Sequence, residues 1–134
     1  MAVGERRIKV AVVDDDSSFL RALERLLRAA GFEPISYPIA ETFLEESPRP
    51  AVDCVILDIR LGALTGLDLA RQLAAEGSRV PLIFITAHDE PGAREQARQA
   101  GGVAYLRKPF SAQSLVEAIR RAVQTGPPSA NQDP

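Results

Sequence analysis

The sequence has few cysteines, no long apolar run and no excess of basic residues. Its single cysteine, Cys54, excludes an intramolecular disulfide and predicts a reducing compartment. No apolar run reaches the roughly 18 residues of a membrane-spanning helix, and residues 1–7 lack the apolar stretch of a signal peptide. The net charge of −2 argues against a basic surface that binds nucleic acid. We therefore expect a soluble, cytoplasmic protein that binds neither membranes nor, directly, nucleic acid.

The length of the chain and its scarcity of lysine carry further information. A chain of 134 residues with a hydrophobic fraction of 46% can form one domain whose core needs no disulfide or metal. We predict that this domain spans 8–124, between an N-terminal extension over 1–7 and a flexible Pro-rich tail or truncated linker over 125–134. Among 16 basic residues the lysines are Lys9 and Lys108, so each stands out in a chain that otherwise uses arginine.

Five short apolar segments alternate with five segments of helical periodicity. Apolar strands that alternate with amphipathic helices predict an α/β fold, in which a parallel sheet lies between two layers of helices. In one predicted helix, 90–100, the apolar residues are all alanines, so we expect that helix to bury little surface. Strands are predicted over 8–13, 32–37, 52–58, 80–85 and 103–106, and a loop over 61–65. Helices are predicted over 40–46, 66–75 and 90–100, with a first helix capped by Asp16 or Ser17 and a last helix capped by Ser111.

Polar side chains stand at the ends of four predicted strands. The three aspartates 14–16 follow the first strand, Asp58 ends the third, Thr86 follows the fourth, and Lys108 lies just beyond the fifth. Taken singly, these residues are ordinary helix caps, turn formers or surface charges. In a parallel sheet, however, the carboxyl ends of the strands share one edge, where functional groups gather. We therefore expect three carboxylates, a hydroxyl and an ammonium group to converge there.

Such a cluster suits phosphoryl transfer with Mg²⁺. Carboxylates held close together repel one another unless a cation joins them, and Mg²⁺ prefers oxygen ligands. One carboxylate can act as a nucleophile and form an aspartyl phosphate, while the metal ion and an ammonium group stabilise the charge on the phosphoryl group. A threonine hydroxyl can hydrogen-bond a phosphoryl oxygen. Each residue type at this edge therefore has a task in one reaction.

Four motifs at these positions resemble those of response-regulator receiver domains, the phosphoacceptor half of bacterial two-component signalling. The resemblance covers about 8–124, and it implies a flavodoxin-like, CheY-like fold. That fold is a three-layer, doubly wound sheet of five parallel strands in the order 2-1-3-4-5, with five helices. The motifs are Val-Val-Asp-Asp-Asp at 12–16, Ile-Leu-Asp at 56–58, Ile-Thr-Ala at 85–87 and Leu-Arg-Lys-Pro-Phe at 106–110.

The resemblance assigns roles to the residues of the cluster. It implies that Asp58 is the phosphorylated aspartate and that Lys108 pairs with the phosphoryl group or with the Asp58 carboxylate. It also implies a Mg²⁺ (or Mn²⁺) site formed by Asp14, Asp15, Asp58 and the backbone carbonyl of Arg60. At position 108 a compact ammonium group fits better than a planar guanidinium, which explains why an arginine-rich chain has a lysine there.

The resemblance also implies a conformational switch. Thr86 would contact the phosphoryl group and couple its own rearrangement to the aromatic Tyr105, and the peptide bond before Pro109 would be cis. Arg60 lies two positions after Asp58, and His88 lies two positions after Thr86. With these residues the chain most resembles the FixJ-type subgroup of receivers. We expect both side chains to tune how water reaches the phosphoryl group.

The function implied is a phosphorylation-activated switch and not an enzyme. It would accept its phosphoryl group from a sensor histidine kinase or a histidine phosphotransfer protein. It would then act through altered protein–protein interaction, including a homodimer through the 90–124 face. FixJ-type receivers usually precede a DNA-binding domain, and we predict no such output domain within 1–134. Leu61 and Gly62 stand where receivers usually have Met-Pro, so we expect a freer loop after Asp58.

Three alternative functions are less consistent with the residues. A Mg²⁺-dependent phosphohydrolase commonly needs a second carboxylate two positions after its nucleophile, where this chain has Arg60. A degenerate receiver that only binds partners would have no need of the acidic residues together with Thr86 and Lys108. A nucleotide-binding domain would have glycines after the first strand, where the aspartates 14–16 would repel phosphate. The switch therefore remains the leading hypothesis.

Overall fold

The structure, a computed structural model, describes residues 7–46, 50–61 and 64–125. It contains β1 (Lys9–Val13), α1 (Ser17–Ala29), β2 (Glu33–Tyr37), α2 (Ala40–Glu45), β3 (Cys54–Asp58), β4 (Arg60–Leu61), β5 (Leu64–Thr65), α3 (Gly66–Ala75), β6 (Leu82–Thr86), α4 (Ala93–Gln99), β7 (Gly102–Arg107) and α5 (Ala112–Thr125). Five parallel strands form one sheet in the order β2-β1-β3-β6-β7. Numbered along the chain, this is the predicted order 2-1-3-4-5, and the predicted fold class is confirmed.

The sheet is buried on both faces because alternate side chains of each strand enter different cores. Val10 and Val12 of β1 pack with leucines of α1 and α5, whereas Ala11 and Val13 pack with apolar residues of α2, α3 and α4. This two-sided burial explains why the strands appear in the sequence as continuous apolar runs. It also makes the sheet a rigid support that holds the carboxyl ends of its strands side by side.

Several elements begin later than predicted, and for two of them a single residue gives the reason. The helix predicted over 90–100 begins at Ala93, because Gly92 before it takes the left-handed conformation with φ of +81°. The fourth predicted strand begins at Leu82, because Pro81 has no N–H to donate to the sheet. The two side chains that α4 buries are both alanines, which agrees with the prediction that this helix buries little surface.

The predicted loop over 61–65 contains β5 and the second residue of β4, and these two strands pair in antiparallel fashion. Strands of two residues are too short for their periodicity to be recognised in a sequence. Gly62 lies outside the described residues. So does most of the predicted extension over 1–7 and of the predicted tail over 125–134, although Thr125 ends α5. Among the described residues, no helix is long and apolar enough to cross a membrane.

Candidate functional site

A lysine joins two carboxylates at the carboxyl edge of the sheet. The Nζ of Lys108 lies 2.9 Å from Oδ2 of Asp58 and 3.1 Å from Oδ2 of Asp14. The partners of Lys108 are 50 and 94 positions away in the chain, and they meet because β1, β3 and β7 all end at this edge. The expected convergence of carboxylates with the ammonium group is therefore present.

The acidic side chains of the cluster and the hydroxyl side chain at this edge are buried. Asp14 and Thr86 are each 1% exposed and Asp58 is 7% exposed, which makes them the buried polar residues of the described part of the chain. Burial raises the pKa of Asp14 to about 6, although the N–H of Asp16 and the charge of Lys108 act to lower it. Burial acts to lower the pKa of Lys108, but the hydrogen bond to Asp58 and the charges of both carboxylates raise it overall. The ammonium group therefore stays charged at neutral pH.

Replacing Asp14 by asparagine is expected to stabilise the metal-free protein by about 1–2 kcal/mol near pH 8. The folded-state pKa of Asp14, about 6, lies above its ordinary value of 3.8, so ionisation of this carboxyl opposes folding. The folded state favours the protonated carboxyl. The stability that this gives is complete below the ordinary pKa and is lost as the pH rises through the folded-state pKa. Urea unfolding in the presence of a chelator would measure the difference, which should shrink as the pH is lowered below 6. An Asp14→Asn variant that is less stable than wild type near pH 8 would contradict this account.

Asp58 lies on a tightly held stretch of backbone. The N–H of Arg60 donates to Oδ1 of Asp58 at 2.9 Å, and the N–H of Gly66 donates to the carbonyl of Ile59 at 2.7 Å. A Cβ at Gly66 would lie 2.3 Å from the carbonyl oxygen of Asp58. Only glycine permits this close approach, so the residue that begins α3 also sets the position of the Asp58 backbone.

The close approach predicts that Gly66→Ala destabilises the protein by about 3 kcal/mol, because the added methyl group must push the backbone of β3 away. Urea unfolding of the variant gives this value directly. Gly101→Ala is the matched control, since Gly101 has φ of +99° but no atom within 4 Å of its added Cβ. That control should lose only about 1 kcal/mol, from left-handed backbone strain alone. Equal losses in the two variants would show that the contact with Asp58 is not the cause.

The three aspartates after β1 differ in their surroundings. Asp14 belongs to the buried cluster, whereas Asp16 caps α1 by accepting two N–H groups of its first turn at 3.1 Å. Asp15 is exposed. Within the described part of the chain, no three His, Cys, Asp or Glu side chains lie together as a candidate metal site. Two carboxylates, those of Asp14 and Asp58, therefore meet Lys108 and not the three expected, because Asp15 is exposed and Asp16 caps α1.

Both predicted switch residues bind one segment, residues 87–92, which we call the β6–α4 loop. The Thr86 hydroxyl donates to the carbonyl of His88 at 3.0 Å and accepts from the N–H of His88 at 3.1 Å. The Tyr105 hydroxyl donates to Oδ1 of Asp89 at 3.0 Å. Burial and this hydrogen bond raise the pKa of Tyr105. The loop thus connects Thr86, at the buried cluster, with an aromatic residue near the surface.

The remaining predicted site residues lie around the rim of the cluster. The guanidinium of Arg60 forms an exposed ion pair with the carboxylate of Glu90. His88 is exposed. The bond between Lys108 and Pro109 is cis, as the resemblance implied.

Sequence reasoning missed three residues that touch the site or its rim. Phe19 lies beneath the ammonium group, with 4.1 Å between the Nζ of Lys108 and the ring centre, a cation–π contact. Only helical periodicity marked Phe19 in the sequence. Asp89 and Glu90 were also missed as partners of Tyr105 and Arg60. Their one local signal is a position just before Pro91 and a glycine, which favours a turn over a helix.

Comparison with known proteins gives the family. The model of the response regulator receiver domain matches residues 10–120. This chain belongs to the response regulator receiver family. The receiver domain is similar to the response regulator protein TodT of Pseudomonas putida, with 35% identity over 132 residues that cover 98% of this chain and 58% of TodT. It is 31% identical to the transcriptional regulatory protein FixJ of Bradyrhizobium diazoefficiens over 124 residues, which cover 92% of this chain and 60% of FixJ.

A solved structure supports the same assignment. The crystal structure of a response regulator receiver protein from Burkholderia phymatum matches with a TM-score of 0.80 and 42% identity, over 91% of this chain and 99% of that one. The predicted resemblance to receivers, FixJ included, is confirmed. The receiver fold supports a phosphoacceptor role for the chain. The chain spans less than two thirds of the length of TodT and FixJ.

Proposed function

We propose that this receiver domain is a phosphorylation-controlled switch whose phosphoacceptor is Asp58. The observation that carries the proposal is the contact of Lys108 with both Asp58 and Asp14 in a buried cluster. An ammonium group held beside a carboxylate is placed to neutralise the oxygens of a phosphoryl group attached there. The donor is a sensor histidine kinase or a histidine phosphotransfer protein, since response regulators in general work with histidine kinases.

The proposed transfer is a displacement at phosphorus. An oxygen of the Asp58 carboxylate bonds to phosphorus while the bond from phosphorus to the donor imidazole nitrogen breaks. The electron pair of the broken bond stays on the imidazole, and the product is an aspartyl phosphate. The hydrogen bond from the Arg60 N–H orients the attacking carboxylate, and Lys108 offsets the charge that develops on the phosphoryl oxygens. The chain thereby modifies itself and turns over no separate substrate.

The donor set fits a divalent cation. The carboxylates of Asp14 and Asp58 share one ammonium group, and burial raises the pKa of Asp14 because its charge is incompletely compensated. Mg²⁺ is typically bound by one or two carboxylates, with carbonyl oxygens and water completing its shell. We assign Asp14, Asp15, Asp58 and the carbonyl of Arg60 as ligands of Mg²⁺ or Mn²⁺. When bound, the ion supplies positive charge to the phosphoryl oxygens.

The proposed switch consists of Thr86, Tyr105 and the β6–α4 loop. For its hydroxyl to contact a phosphoryl oxygen, Thr86 must give up its hydrogen bonds to His88. That exchange moves the loop to which Tyr105 is bonded and alters the face formed by 90–124. This face binds the partner or a second copy of the chain, which size-exclusion chromatography with and without beryllofluoride would test. Arg60 and His88, at the rim, tune the access of water to the phosphoryl group.

The buried thiol of Cys54 bears on where the protein works. Burial raises the pKa of the Cys54 thiol to about 12, so this cysteine stays protonated and unreactive. A single buried thiol suits a reducing compartment, and we place the protein in the cytoplasm.

The experiment that tests the proposal is intact-mass analysis after incubation with acetyl phosphate and Mg²⁺. Addition of one phosphoryl group is the expected result. Beryllofluoride, which mimics the phosphoryl group but does not turn over, separates a short-lived adduct from a failure to react. If it causes no change in the NMR signals of Thr86 and Tyr105, the switch is wrong and the chain only binds partners.

A further inference from the structure

Two adjacent acidic residues of the β6–α4 loop contact two different parts of the chain. Glu90 forms an ion pair with the guanidinium of Arg60, beside the buried cluster. Asp89 accepts the hydroxyl of Tyr105 at 3.0 Å, on the side of β7. The loop is therefore held by Glu90 to Arg60, beside the phosphoacceptor site, and by Asp89 to Tyr105, the proposed aromatic switch residue.

The backbone of Arg60 lies beside the proposed phosphoacceptor. Its N–H donates to Oδ1 of Asp58 at 2.9 Å, so the flexible side chain starts beside the carboxylate although its charged end lies on Glu90. Arginine pairs with carboxylates and with phosphate groups through the same forked geometry. A phosphoryl group carries about −1.5 to −2 charges near neutral pH, more than the single charge of Glu90.

The ion pair between Arg60 and Glu90 is weak enough for Arg60 to change partners. The side chains of Arg60 and Glu90 are 55% and 59% exposed, and ion pairs exposed to this extent hold their partners weakly. A dianionic group at Asp58 would therefore compete effectively for the guanidinium. Lys108 already contacts Asp58, so Arg60 would supply a second cation to the same site.

We propose that Glu90 is a positioning residue that holds Arg60 away from the phosphoacceptor until phosphorylation. This inference rests on the proposed function of Asp58. When a phosphodonor or the phosphoryl group occupies the site, Arg60 leaves Glu90 for the phosphoryl oxygens. One tether of the β6–α4 loop is then released, and the change at Asp58 is passed to the loop that also holds Tyr105.

The test measures the rate of phosphorylation against acetyl phosphate concentration, in Mg²⁺, for wild type and Glu90→Gln. An oxygen of Asp58 bonds to phosphorus while acetate leaves with the electron pair of the broken bond. Once the negative charge of Glu90 is removed, Arg60 should attract the anionic acetyl phosphate more strongly. The half-saturating concentration should then fall roughly two- to fivefold, and less at high salt. In an Arg60→Gln background the same Glu90→Gln change should have no effect.

Asp89→Asn is the matched control. It removes the same charge from the neighbouring position but keeps the Oδ1 acceptor for Tyr105, so the half-saturating concentration should stay near the wild-type value. An equal shift in Asp89→Asn would assign the effect to the general field of the loop and overturn the proposal. So would a shift that persists without Arg60, or no shift at Glu90→Gln in a chain that labels normally.

A second readout does not depend on the rate. Beryllofluoride should shift the side-chain Nε–H signal of Arg60 in NMR spectra of wild type, and in Glu90→Gln the free protein should already show part of that shift. An unchanged Arg60 signal would overturn the inference while a labelled Asp58 leaves the proposed function standing. A wild-type chain that neither labels nor binds beryllofluoride would refute the proposed function itself, and the inference with it.

Discussion

Asp58→Asn is expected to abolish the phosphoryl adduct that acetyl phosphate and Mg²⁺ produce on the wild-type chain. An amide has nearly the same shape as a carboxylate but is a far poorer nucleophile, so the acceptor is lost while the fold is kept. In wild type the Arg60 N–H donates to Oδ1 and Lys108 to Oδ2 of Asp58, so the single oxygen of the introduced amide can replace one of these two acceptors. Intact-mass analysis, with circular dichroism to confirm folding, measures the outcome.

Asp53→Asn provides the matched control for this experiment. Asp53 precedes the opposite end of β3, where its carboxylate accepts the N–H of Lys9 at 2.8 Å, far from the carboxyl edge of the sheet. This variant should carry one phosphoryl group, as wild type does. A stoichiometric adduct on the Asp58→Asn variant would move the acceptor to another carboxylate and refute the assignment.

Lys108→Met is expected to destabilise the metal-free protein by about 3–4 kcal/mol near pH 8, because it leaves two buried carboxylates without their shared cation. The raised pKa of Lys108 means that its contribution is complete below its ordinary pKa and is lost only at strongly alkaline pH. In the variant, loss of the Lys108 charge raises the pKa of Asp14 further. Protonation of that carboxyl should therefore restore part of the stability as the pH falls. Urea unfolding across this pH range, in a chelator, tests the sign and the size.

Two further measurements separate charge from packing at Lys108. Mg²⁺ should stabilise Lys108→Met more than it stabilises wild type, since it supplies the positive charge that the variant lacks. Lys108→Arg keeps the charge but not the compact shape, so it should retain most of the stability and lose phosphorylation rate. If Lys108→Met is as stable as wild type near pH 8, the lysine does not compensate the two carboxylates.

Much of the fold and most of the cluster were predictable from local patterns. Buried parallel strands need continuous apolar runs, and their helices need one apolar face, so the layers are visible without any structure. Asp58, Thr86 and Lys108 were identified because the ends of parallel strands share one edge. Element boundaries were less predictable, as Gly92 and Pro81 show, because single residues with special backbone geometry decide them.

What the sequence could not show is which side chains share a partner. Asp14 and Asp15 were given the same role from the sequence, yet Asp15 is exposed and the buried Asp14 is the partner of Lys108. The pairing of Arg60 with Glu90, 30 positions away, depends on where a loop lies against a neighbouring strand end. Residue types and strand-end positions thus follow from the sequence alone. The division of roles among them is decided by the tertiary structure, because hydrogen bonding and burial depend on distances that only the folded chain has.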